Sequence, residues 1–90
     1  MVHYVYILSC CDGEFYTGMT ENLKRRLVEH VNGENIATKY RRPVKLVYFS
    51  GFVNKKLAIN FEKYLKSHAG RAFRNKHLAE PARRSEVKPR

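Results

Sequence analysis

The sequence predicts a small α+β domain: a three-stranded, mainly antiparallel sheet flanked by helices, in the order β-β-α-β-α-α. Three observations predict it. Two aromatic, β-branched stretches flank an Asp-Gly pair near the N-terminus. Two later stretches carry apolar residues at helical spacing, each behind a capping residue. A third strand-like stretch, opened by a proline, lies between them. The chain has 90 residues, which is room for one domain, and there are no internal repeats.

"HYVYILSC" at 3–10 is rich in Tyr, Val and Ile and reads as the first strand. Asp12-Gly13 is a turn signal, and "EFYTGM" at 14–19 returns as the second strand. Thr20 is placed to cap a helix with Glu21 in its first turn, and Leu23, Leu27 and Val31 form a stripe expected to face the core. Asn32-Gly33 ends that helix. Residues 34–43 are polar and basic and read as a loop. "VKLVYFSGF" at 44–52 is the third strand, with Val44, Leu46 and Tyr48 alternating with Lys45, Val47 and Phe49. Asn54 caps a second helix whose stripe is Leu57, Ala58, Phe61, Leu65 and Tyr64, ending at Gly70. "RAFRNKHLA" at 71–79 reads as a short third helix. The domain is therefore placed at 1–79. Residues 80–90, with two prolines and few apolar side chains, are expected to be a disordered basic tail.

Composition narrows the function. Hydrophobic residues make up 43% of the chain, the share of a folded protein. No apolar run approaches the roughly 20 residues of a membrane span, and no signal peptide is legible. The expectation is a soluble, cytoplasmic protein with no membrane partner. Cys10 and Cys11 are adjacent, too strained a geometry for a disulfide, and read as reduced thiols. Eighteen Lys and Arg against eight Asp and Glu give a net charge of +10, which points to a polyanionic partner, nucleic acid above all.

One constellation carries chemistry. Asn22, Arg26 and His30 follow one another at i, i+4 on one helix face, with Lys24 and Glu29 elsewhere. A guanidinium holds phosphate and stabilises charge developing on it; a histidine one turn away transfers protons near neutral pH. The bland alternative is a solvated basic face. The hairpin weighs against it, because Tyr4 and Tyr6 share one strand face and Tyr16 and Gly18 share another, and Gly18 leaves room for close approach. Taken alone, Glu62 reads as an i, i+4 partner of Lys66.

"YVY" at 4–6, "YTG" at 16–18, "NLKRRLVEH" at 22–30 and "KYRRPVKLVYF" at 39–49 together resemble the signature of the GIY-YIG nuclease superfamily. The resemblance is strongest to its small single-domain UPF0213, or YhbQ-like, branch. It implies metal-dependent hydrolysis of nucleic-acid phosphodiesters, DNA in the first instance, with Mg²⁺ or Mn²⁺. Carried over residue by residue, it implies Tyr6, Tyr16, Arg26 and His30 as catalytic groups and Glu62 as metal ligand. Gly18, Asn22, Lys24, Arg25, Lys39, Arg41 and Arg42 are then the expected nucleic-acid contacts. A tyrosine with its pKa lowered by nearby cations would help to deprotonate water. Tyr4 stands where the signature has its first glycine, Met19 stands where many members have a polar residue, and only Asn75 offers a late asparagine. The 90 residues are expected to leave no room for a separate DNA-binding domain. Substrate choice would fall to the basic surface, the tail or a partner protein. The competing reading is a nucleic-acid-binding module that retains the fold without catalysis.

A single site imposes a condition on the hairpin. A two-residue loop at Asp12-Gly13 would set Tyr6 opposite Met19 and Ser9 opposite Tyr16, leaving the tyrosines on opposite faces. A shared face needs an odd connection around 11–15, for example Tyr6 opposite Thr20 and Cys10 opposite Tyr16.

Overall fold

A computed structural model describes residues 1–79. The expected basic tail, 80–90, lies outside the described residues. Three antiparallel strands form one sheet in the order β2-β1-β3: β1 His3–Cys10, β2 Phe15–Thr20 and β3 Val44–Phe52. The helices are α1 Leu23–Val31, α2 Lys55–Lys66 and α3 His68–Phe73, and α3 runs on into a π-helical segment, Arg74–Leu78. The α+β order is the one predicted.

The strand β1 is central and covered on both faces, which is why Val5, Tyr6, Ile7 and Leu8 are all buried. Its odd positions Val5 and Ile7 join Ala58 and Leu65 of α2, with Phe15, Met19, Phe52 and Phe61 packed around them. Burial on this scale contributes roughly 1.5–3 kcal/mol per large side chain. The even positions turn to the other face, toward α1, so α2 secures the sheet while α1 covers the tyrosines.

The hairpin connection is odd, as a shared face requires. Cys10 N–H donates to Glu14 O at 2.9 Å and Gly13 N–H to Cys10 O at 3.0 Å, leaving a loop of residues 11–13. Gly13 has φ +83°, the left-handed position that closes a loop of this length. Tyr6 pairs with Gly18 and Leu8 with Tyr16. Thr20 was the expected partner of Tyr6, so the parity holds while the register lies two residues away.

Several boundaries differ from the sequence reading. The cap of α1 is Asn22, whose Oδ1 accepts from Arg25 N–H at 3.0 Å. Thr20 instead bonds the Asn22 backbone, its Oγ1 accepting from the N–H at 3.1 Å. The stripe of α1 also shifts: Val31 is 60% exposed, Leu23 and Leu27 are half-buried, and His30 is the residue fully enclosed. In β3 a bulge interrupts the alternation, since Ile7 pairs with Tyr48 but Leu8 with Leu46, and Val47 joins the core. Asn54 caps α2 as expected, its Oδ1 accepting from Leu57 N–H at 3.1 Å. Gly70 does not end α2. Ser67 does, and its Oγ accepts from Gly70 N–H to start α3.

Candidate functional site

The even face of β1 meets the even face of β2 under α1, and this juxtaposition builds the site. Tyr6 is fully buried, and its Oη lies 2.8 Å from His30 Nε2. Tyr16 packs on both rings, 6.3 Å from Tyr6 and 5.3 Å from His30 between centroids. Gly18 makes this possible. A Cβ there would stand 2.5 Å from Tyr6 Oη and 3.1 Å from the Tyr16 ring. Its place beside Tyr6 is thus fixed by the space that the phenol occupies.

His30 uses both ring nitrogens. Nδ1 lies 2.6 Å from Thr38 Oγ1, and both residues are completely buried. A neutral imidazole donates from one nitrogen and accepts at the other, and the two hydroxyls turn to match, so the neutral ring satisfies the chain Tyr6–His30–Thr38. Burial, then the nearby Arg26 charge, holds the His30 pKa below its ordinary value. Thr38 was not among the residues predicted from sequence. It sits in an irregular basic loop where neither periodicity nor charge marks it.

Arg26 stands one turn before His30 on α1, near enough for its charge to act on the same phenol, and its side chain is 30% exposed. The expectation that cations lower the pKa of the tyrosine is corrected here. Burial dominates and pushes Tyr6 up to about 12, with Tyr16 adding to the rise and Arg26 only partly offsetting it. Tyr6 is therefore a neutral phenol at pH 7. Glu29 was placed away from the site, but its Oε1 lies 3.0 Å from Arg26 Nε and its Oε2 3.6 Å from Arg25 Nε. The Arg26 Nε–H makes no hydrogen bond to that carboxylate despite the short distance, so the guanidinium is close to an acid without being locked to it there.

Glu62 stands on α2, and its negative charge is the smallest of the influences that raise the Tyr6 phenol. Its Oε2 also holds Lys66 Nζ at 3.0 Å, the i, i+4 pair read from sequence. Among the described residues no three His, Cys, Asp or Glu side chains cluster as a ready-made metal cage. A lone carboxylate is nonetheless a donor of the type that Mg²⁺ or Mn²⁺ takes, since Mg²⁺ keeps waters and binds substrate phosphate.

The expected nucleic-acid contacts divide. Lys24, Arg25 and Lys39 are exposed. Asn22 is the cap of α1. Arg41 Nε donates to Asp12 Oδ2 at 2.8 Å, tying the loop after α1 to the hairpin and holding the Asp12 carboxyl below its usual range. Arg42 closes the C-terminal end of α1, its Nη1 donating to Val31 O at 3.3 Å and its Nε to Lys39 O at 3.1 Å. Both cysteines are free, Cys10 buried and Cys11 exposed.

The GIY-YIG catalytic domain family matches residues 2–77. The chain belongs to the GIY-YIG family. A UPF0213 protein of Clostridium perfringens is 50% identical over 66 residues, covering 72% of this chain and 71% of that one. A UPF0213 protein of Natronomonas pharaonis is 47% identical over 66 residues, covering 72% and 78%. The solution structure of a UPF0213 protein from Bacillus halodurans shares 37% identity over 89% of this chain and 76% of the other, with a TM-score of 0.45. The GIY-YIG domain is nuclease-like, and membership points to interaction with nucleic acid. No helix among the described residues is long and apolar enough to cross a membrane.

Proposed function

We propose that this GIY-YIG protein is a metal-assisted endonuclease that hydrolyses nucleic-acid phosphodiester bonds, DNA first among them. One observation carries the reading: Tyr6, Tyr16, Arg26 and His30 share a single face, with the Tyr6 phenol held at 2.8 Å by His30 and approached by Arg26.

The residues divide the work. Arg26 and Tyr16, which reach solvent, take the scissile phosphate; Arg26 neutralises the charge that builds on its oxygens. Tyr6 is fully buried, so in this reading Arg26 must move for the phenol to meet water. As the guanidinium turns to phosphate, Glu29 steadies it, and a water gains access to the phenol. With Nδ1 donating to Thr38, His30 Nε2 is the acceptor. Tyr6 passes its proton to His30 while it takes one from the attacking water. A phenol with a pKa of about 12 suits this concerted relay better than a standing phenolate. Glu62 would hold Mg²⁺ or Mn²⁺, which when bound polarises the phosphate and steadies the leaving oxygen.

Purified protein is expected to nick DNA in Mg²⁺ or Mn²⁺ and to stop in EDTA. Arg26→Ala and Glu62→Ala should each reduce cleavage by about 10²-fold or more, the scale of losing one charge-stabilising group. Full activity in both variants would contradict the assignment.

A second reading is a non-catalytic nucleic-acid-binding module. The sealed Tyr6 and the Lys66 contact on Glu62 favour it. It predicts salt-sensitive binding that is indifferent to metal and to Glu62→Ala.

A further inference from the structure

A groove of about 500 Å³ opens between α1 and β3 beside the candidate site. Tyr4 and Phe49 line it from the sheet, Leu23 and Leu27 from the helix, and Lys24 borders it. Phe49 is 51% exposed, and Tyr4 meets it edge to face with centroids 6.2 Å apart. The reaction described above uses none of these side chains.

The groove adjoins the site on two elements. Tyr4 precedes Tyr6 by two residues on the same face of β1, about 7 Å along the strand. Asn22, which also borders the groove, precedes Arg26 by one turn of α1, about 5–6 Å. A phosphate at Arg26 therefore leaves the adjacent nucleotide within reach of the groove.

We propose that this groove receives an unpaired nucleobase flanking the phosphate held at Arg26, stacked on Phe49 and packed against Tyr4, with Lys24 on a neighbouring phosphate. The proposal deepens the nuclease reading and rests on it for the position of the phosphate. Three features select this occupant. An exposed aromatic ring accepts any base by stacking, and the cavity has the size of a small-ligand site. The chain is strongly basic at +10, and exposed Lys24 at the groove and Arg25 next to it on α1 face a single rim acid, Glu21. A second copy of the chain or another folded protein would need roughly 800 Å² per partner, more surface than this groove presents. Bases stacked in a duplex cannot enter, so the groove favours single strands, flaps and loops.

The test is binding in EDTA, where no cleavage occurs. The probe is a short single-stranded oligonucleotide with 2-aminopurine at one internal position, made in deoxy and ribo forms. Wild type should quench the 2-aminopurine emission. Phe49→Ala should weaken binding by about 5- to 100-fold and abolish the quench. Phe49→Tyr should restore both, and Phe49→Leu, which keeps apolar bulk without a ring, should not. Affinity for the matching duplex should change less than twofold in every variant. Circular dichroism melts establish that each variant is folded. An unchanged quench and affinity in folded Phe49→Ala and Phe49→Leu would overturn the proposal, as would a Phe49-dependent dimer that binds no oligonucleotide. The two readings fail separately. A Phe49-dependent quench without cleavage in metal leaves the groove standing and removes the nuclease. Arg26-dependent cleavage with a Phe49-independent quench does the reverse.

Discussion

At the scale of single residues, the site is held by close fits that leave little freedom. Tyr6 is buried and pinned to His30, so it cannot yield to a side chain at position 18. Gly18→Ala should destabilise the fold by about 1–3 kcal/mol, as overpacking does, and displace the phenol. Urea denaturation measures the first effect and loss of cleavage the second. Thr38→Val should cost a similar ~1–3 kcal/mol, because it strands a buried ring nitrogen of His30, whereas Thr38→Ser should retain most of the stability. The titration of His30 has a definite sign. Its folded pKa lies below the ordinary 6.5, so the unfolded chain binds the extra proton first. Its contribution to stability is complete above about pH 6.5 and is lost as pH falls through the folded pKa. Urea midpoints at pH 7.5 and 5.5 should therefore differ, and His30→Gln should shrink the difference. The sequence made Tyr6, Tyr16, Gly18, Arg26 and His30 legible, because their spacing places them on shared faces. It could not reveal Thr38 or the sealing of Tyr6, since both arise from contacts between segments far apart in the chain.

At the scale of elements, the hairpin decides whether there is one site or none. The odd loop could be inferred from the demand that Tyr6 and Tyr16 share a face. The pairing itself could not, because it depends on the three-residue turn that Gly13 closes at φ +83°. Gly13→Ala should cost about 1–2 kcal/mol, although a Cβ there meets nothing within 4 Å, because the strain lies in the backbone conformation. Gly13→Asn should cost less. The bulge in β3 and the start of α1 at Asn22 escaped the sequence for a related reason. Alternation and capping preferences are short-range signals, and tertiary pairing chose among several local solutions. The loop between α1 and β3 shows how charge misleads. Arg42 looks like a phosphate contact, yet its guanidinium closes the end of α1. Arg42→Ala should lower stability by about 1 kcal/mol, and Arg42→Lys should not restore it, because the fork of donors is lost.

At the scale of the whole molecule, the chain carries a net charge of +10 and one polar centre lies on the α1 face of a three-stranded sheet. Such a surface draws any polyanion, so binding alone does not identify the chemistry. Exposed cations and the centre should separate in experiment. Lys24→Ala and Arg25→Ala should each reduce the magnitude of the salt slope of binding by about one, weakening all sequences alike. Arg26→Ala should alter turnover far more than affinity, because its charge is needed most as the phosphorane-like state forms. The most direct measurement is single-turnover cleavage of a labelled DNA strand in Mg²⁺ or Mn²⁺ at saturating protein, comparing wild type with Arg26→Ala. The account predicts metal-dependent cleavage by wild type, abolished by EDTA, and a loss of about 10²-fold or more in the variant at undiminished saturation. Equal cleavage rates for the two proteins, or none from wild type with either metal, would contradict it.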